Sequence, residues 1–513
     1  RFQVSLYNPL ARPVQYVTRV PVSGNKFTVL TPRGPVQADI FPLSRETKAL
    51  IPRSSQQADS ELVFVASVPA VGFATYFVDR TSNKGFTSKE AEPSRDTVIQ
   101  GKYVSVKFDD DGLMSSISNL AINAEVPLHQ NFLYYPAHGG ECVDDSRKQP
   151  SGAYIFRPTD NSHVKLNITK WQGVFKGKLV QEARQKFGDW ASQVVRVYQD
   201  KPYVEVEWTV GPVPIQDGIG KEVMTRYNIP NFGNGGVFYT DSNGREILKR
   251  QLNYRPTWTL NQTEPVAGNF FPVNAFIGIK NSDLQFSVLT DRSHSGSSLN
   301  DGDVEIMLHR RLLYDDCKGV GEALNETAYG RGLIIRGKHY LLLEQVTKAA
   351  RQYRPLAQEV FLRPQITFSR VQSSPQEYFK TFRGNFSGLF SEFPPNLHLL
   401  TLEAVPGTPV VPSPPGTVPY LVRLEHFYET GEDASLSKPV TVDLKRLMYG
   451  YGFGGFHELA LGANILASDV HRLNWKTEKT RTGKRSKPLR VQGTEVTLSP
   501  MEILTVQLDI LST

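Results

Sequence analysis

Cysteine is almost missing from this chain, with two residues, Cys142 and Cys317, among 513. So few exclude a disulfide scaffold and any cysteine-based zinc knuckle, although the two remain free to pair with each other. Long apolar runs are missing as well. No stretch approaches the about 18 consecutive apolar residues of a transmembrane helix, so no membrane span is expected. The ten histidines are scattered, none standing near another or near a cysteine at metal-ligand spacing. There is no G-x-S-x-G elbow, no phosphate-cradling glycine loop and no dinucleotide fingerprint, which removes the commonest sequence-readable enzyme classes. The chain opens on Arg1 and passes straight into strand-like alternation, with neither an initiator Met nor a signal peptide, and so reads as a fragment or a processed subunit.

What the chain has in abundance is strand signal. Phe27 to Thr31, Glu61 to Ala66, Tyr103 to Phe108 and Tyr203 to Val210 set β-branched and aromatic residues at a period near two, punctuated by Gly, Pro, Asn and Asp. Hydrophobic content of 39% and charged content of 21% describe an ordinary globular protein. The net charge of +7 is partly concentrated between Lys476 and Arg490, a run that reads as a solvated loop. It lacks the interleaved aromatics of a nucleic-acid surface, so no nucleic-acid partner is expected. Asp111-Gly112 predicts a hairpin between Lys107 and Ile117, and the neighbouring aspartates belong to that turn, since they lack the spaced oxygen ligands of a calcium loop. Ser374-Pro-Gln-Glu377 predicts a helix start with a capping box. The polar stretch from Asp79 to Asp96 reads as a linker, and Phe393-Pro-Pro-Asn396 as a second break. The expected units are therefore 1–95, a small β domain; 96–393, long enough for a large two-sheet sandwich; and 394–513, a further β domain interrupted by the Pro-rich excursion Val405 to Pro419.

Two segments carry candidate chemistry. In Asp303 to Asp316, strict alternation groups Val304, Ile306 and Leu308, which places Arg310 on the continuation of that apolar face and Arg311 opposite. A guanidinium there needs a partner, either an internal carboxylate such as Asp315 or Asp316, or a ligand. In Pro150 to Pro158, alternation puts Tyr154 and Phe156 on one face behind Ser151, Gly152 and Ala153. Small residues let a ligand approach, and a tyrosine offers a ring and a hydroxyl suited to a sugar, or serves as an ordinary half-buried sheet residue.

Taken in order, Tyr7 to Leu10, Ser151 to Pro158, Phe238 to Glu246, Asn261 to Asn269, Leu308 to Asp316 and Gly431 to Asp433 closely resemble the C-terminal portion of the lysosomal-type α-mannosidases in glycoside hydrolase family 38. The resemblance runs the length of the chain. It implies an all-β fold in which a large galactose-mutarotase-like β-supersandwich is flanked by smaller N-terminal and C-terminal β-sandwich domains. It also implies a retaining, zinc-dependent exo-α-mannosidase that trims mannose-containing N-linked oligosaccharides in the lysosome or an equivalent vacuolar or secreted compartment. The family's His-x-His-x-Asp and His-His-Asp zinc segments and its nucleophilic Asp do not occur here. The resemblance therefore places zinc and both catalytic aspartates on an N-terminal partner chain, leaves this chain inactive alone, and allows a dimer of heteromers. It carries a sugar contact onto Tyr154 and another onto Arg310 or Arg311, by side chain or main-chain carbonyl, with Asp316 supporting or binding. If both motifs approach one mannose, Cys142 and Cys317 approach each other, and a disulfide is predicted. Sequons at Asn167, Asn261, Asn325 and Asn385 permit N-glycosylation in such a compartment. The rival readings are a non-catalytic carbohydrate-binding or assembly module and, on fold alone, a sugar epimerase.

Overall fold

In a computed structural model of the chain, describing all residues except 51–57, 81–89, 144, 372, 406, 472–489 and 512–513, strands are paired antiparallel throughout three layered units. The first begins with strand Phe2–Asn8, where Val4, Leu6 and Asn8 turn inward while Ser5 and Tyr7 do not. Its six-stranded sheet faces a three-stranded sheet of Val14–Val22, Ala38–Pro42 and Ser60–Val68. Val4, Leu6, Val29, Ile40 and Phe64 fill the space between. Two strands of the larger sheet, Gln365–Arg370 and Asn385–Ser387, return to it from far along the chain.

The central unit packs a ten-stranded sheet against a six-stranded one. Trp208, Phe132, Phe187, Phe286 and Ile306 belong to the core between them. The hairpin expected at Asp111-Gly112 is present: Val104–Phe108 pairs Met114–Asn119, and Gly112 takes the positive φ of +83° that the turn requires. The site described below lies on the six-stranded sheet, at the ends of His129–Pro136, Lys221–Asn228 and Asp303–Arg311.

The last unit sets Leu397–Ala404, Thr417–His426, Gly452–Leu459 and Ile503–Leu511 against a three-stranded sheet, around Leu399, Val422, Val496 and Val506. Helix Pro375–Thr381 begins with the anticipated capping box, Ser374 and Glu377 bonding each other's backbone. Helix Ala349–Phe361 was not anticipated, because Lys348 supplies no side-chain cap and Pro355 lies inside it. It is held instead by burial of Ala350, Tyr353 and Leu356 with Phe276, Leu342, Phe427 and Tyr428. Gly431 to Asp433 completes this seam, since Arg354 bonds Glu432, and Asp433 accepts from Arg351 at 2.9 and 3.0 Å. Most of the basic run from Lys476 to Arg490, and residues 81–89 of the expected linker, lie outside the described residues.

Candidate functional site

Strand Asp303–Arg311 departs from strict alternation near Leu308. Met224 faces Met307 while Val223 faces His309, so Leu308 is an extra residue, and this bulge reverses the parity of everything after it. Arg310, expected on the apolar face, instead stands opposite Glu222 on the side shared by Asp303 and Glu305, and Arg311 takes the side of Val304 and Ile306. The positions of the two arginines are thus the reverse of those read from period two.

Arg310 is fully engaged inside the protein. Its Nε donates to Glu222 Oε2 at 2.5 Å and its Nη2 to Glu222 Oε1 at 2.9 Å, while Nη1 reaches the carbonyl of Ala153 at 3.2 Å and Nη2 that of Ile155 at 2.8 Å. Glu222 is completely buried and also accepts the hydroxyl of Ser151 at 2.5 Å. On the other side of the strand, Arg311 donates from Nε to Asn325 at 2.8 Å and from Nη1 to the carbonyl of Val213 at 2.7 Å. Gly332 makes this possible, because a Cβ there would lie 2.4 Å from Arg311 Nη1.

Pro150 to Pro158 forms no strand. It is an irregular loop joined to the sheet by a single bridge between Pro158 and Ala137, so its side chains do not alternate between two faces. Asp316 shapes it from beneath. This buried carboxylate accepts through Oδ2 the N–H groups of Tyr154 at 2.5 Å and Ile155 at 3.0 Å, and through Oδ1 that of Lys318 at 3.1 Å. Gln149 Nε2 donates to the Asp316 carbonyl at 2.8 Å. Gly152 lies so close that a Cβ would be 2.4 Å from Asp316 N. With its backbone bound from below, Tyr154 presents a ring whose residue is 71% exposed.

The surroundings stiffen this arrangement. Cys142 and Cys317 form a disulfide with their Cα atoms 5.6 Å apart, joining the approach to the Tyr154 loop to the residue after Asp316. Phe156 packs between Tyr135 and Phe270, with ring centroids 6.0 and 5.1 Å away, and Arg157 meets Glu264 at 3.5 Å. Burial pushes the Glu305 carboxyl above its usual range, against the pull of Arg226. Burial likewise holds His309 below the usual histidine value.

Of the residues singled out in the sequence, Tyr154, Arg310 and Asp316 meet in one hydrogen-bonded cluster, and Arg311 lies on the reverse side of its strand. Glu222, Ser151 and Gln149 were not singled out as partners. Glu222 sits in an unremarkable strand, and only the pairing register, 88 residues from Arg310, reveals it. The sequon residues Asn167, Asn261, Asn325 and Asn385 are all exposed. Among the described residues, one group of three possible ligands converges, Cys142, Asp315 and Cys317. Both sulfurs are spent in the disulfide, so this group does not suit a zinc ion.

Residues 99–318, which contain this cluster, match the glycosyl hydrolases family 38 C-terminal domain, and residues 36–78 match the lysosomal alpha-mannosidase-like central domain. The chain is 44% identical to lysosomal alpha-mannosidase of Bos taurus over 98% of its own length and 48% of that protein. Against the Homo sapiens enzyme the identity is 41%, over 98% of this chain and 49% of the relative. It thus spans about half the length of the curated relatives it matches. The crystal structure of an alpha-mannosidase from Enterococcus faecalis V583 shares the fold, with a TM-score of 0.58 at 11% identity over 99% of this chain and 56% of that one. Residues 99–318 of this chain thus carry the glycoside hydrolase family 38 C-terminal domain.

Proposed function

We propose that this chain forms one wall of the mannose-binding cleft in a retaining, zinc-dependent exo-α-mannosidase acting on N-linked oligosaccharides in the lysosome or an equivalent compartment. In this reading an N-terminal partner carries the zinc ion and both catalytic aspartates, and the present chain binds and orients the sugar without hydrolysing it alone. The observation that carries the proposal is the exposed ring of Tyr154 on a backbone bonded from beneath, within the residues that match the family domain. A phenol ring covers the C–H face of a pyranose while its hydroxyl donates to or accepts from a sugar hydroxyl. Since the Arg310 guanidinium is bound to Glu222 and to two loop carbonyls, its part in this reading is to support the wall.

The test is hydrolysis of an α-mannoside by this chain alone, by the N-terminal half alone and by the two together, with and without Tyr154→Phe. Turnover is expected only from the combination, and loss of one hydrogen bond is expected to raise KM about tenfold. Turnover by the isolated chain would overturn the division of labour. An unchanged KM in Tyr154→Phe would remove Tyr154 from the cleft.

A further inference from the structure

The loop under Tyr154 is held by opposite charges from two sides. Arg310 takes the carbonyl of Ala153, and Asp316 takes the N–H of Tyr154, so the single peptide group joining those residues is bound at both ends, at 3.2 and 2.5 Å. One residue on, Asp316 takes the N–H of Ile155 at 3.0 Å, and the Ile155 carbonyl accepts from Arg310 at 2.8 Å. Arg310 and Ser151 are in turn both fixed by the buried carboxylate of Glu222. A surface loop needs no such apparatus merely to stay folded. Charge-assisted bonds to backbone groups are stronger and more directional than neutral ones, and here they converge on the one residue whose ring is left outside.

We infer that Asp316 and the Glu222–Arg310–Ser151 cluster are positioning residues that set the Tyr154 ring against the bound sugar. The inference rests on Tyr154 being a sugar contact. Asp316 and Glu222 act through the backbone of 153–155 and touch no substrate themselves. A displacement of about 1 Å can cost up to about a hundredfold in catalytic efficiency, so a clamp two bonds removed from the sugar has a kinetic consequence.

A double-mutant cycle in the full-length enzyme tests it, comparing Asp316→Asn, Tyr154→Phe and the pair on a chromogenic α-mannoside. Asn keeps one acceptor oxygen and loses the charge, so either the N–H of Lys318 or those of both Tyr154 and Ile155 meet an NH2, and the bonds that remain are weaker. Asp316→Asn alone is expected to raise KM about tenfold and to alter kcat less than about threefold. In the Tyr154→Phe background the same change is expected to move KM less than about threefold, because the directional hydroxyl contact it positions is already gone and only the less directional ring face remains. An equal effect of Asp316→Asn in both backgrounds would overturn the inference, since a merely structural role is additive. A Tyr154→Phe enzyme with an unchanged KM would instead overturn the sugar contact on which the inference stands. Should Asp316→Asn fail to fold, Glu222→Gln, which keeps the shape and loses the charge, is put through the same cycle with the same criteria.

Discussion

Arg310 and Glu222 form a two-pronged ion pair across neighbouring strands, with Nε 2.5 Å from Oε2 and Nη2 2.9 Å from Oε1. The carboxylate is wholly buried and the guanidinium nearly so. Removing one partner leaves the other charge buried without compensation, which typically costs about 3–5 kcal/mol. Glu222→Ala should therefore lower the unfolding free energy of this chain by about that much, measured by urea denaturation. A loss below about 1 kcal/mol would mean that water or another group already satisfies Arg310.

The disulfide acts on the same loop by a different route. Cys142 and Cys317 are 175 residues apart in sequence, so their bond removes a large part of the conformational freedom of the unfolded chain. Replacing both by Ser should cost about 2–5 kcal/mol. Because Cys317 directly follows Asp316, the amides of Tyr154 and Ile155 should also exchange faster with solvent deuterium. Unaltered exchange at those amides would separate the disulfide from the site.

The strands, the Asp111-Gly112 hairpin and the helix after Ser374 were legible because each is encoded within a few residues, by period, turn chemistry or cap. The site was half legible. Tyr154, Arg310 and Asp316 stand in segments that read as unusual, but Leu308 carries no local mark of the bulge that exchanges the faces of Arg310 and Arg311. Glu222 was invisible for a related reason, since a partner across a sheet is set by register, which a single strand does not disclose. Other segments of the resemblance have structural work. Asn8 bonds the carbonyls of Arg12, Val68 and Pro69, and Asn243 and Gly244 turn a hairpin with positive φ at both residues.

Gly431 to Asp433 likewise has a structural task, with none of its hydrogen bonds made to the Tyr154 loop. Asp433 is buried and accepts the Arg351 guanidinium and the N–H groups of Ser435 and Leu436, the latter two both at 2.9 Å. These bonds keep its carboxyl low, at about 2, although burial opposes them. Asp433→Ala orphans those donors and should cost about 1–3 kcal/mol. The loss should appear as faster proteolysis at the seam between helix Ala349–Phe361 and the last unit, while KM in the full-length enzyme stays unchanged. A raised KM would show that the seam and the Tyr154 wall are coupled.

The same unit contains a histidine that makes stability depend on pH. His398 is buried, and that burial, with Arg12 nearby, holds its pKa at about 4 against about 6.5 in an unfolded chain. Between those values the unfolded state binds the extra proton, so stability rises with pH across this window and is lost as pH falls toward 4. A shift of this size corresponds to about 3 kcal/mol. His294 and His339, also pushed down by burial, add slopes of the same sign and are present in any variant of His398. His398→Leu should therefore lose about 3 kcal/mol less than the parent between pH 7 and pH 4, read as the difference between two pairs of urea titrations. Equal losses in both proteins would assign the acid sensitivity to other groups.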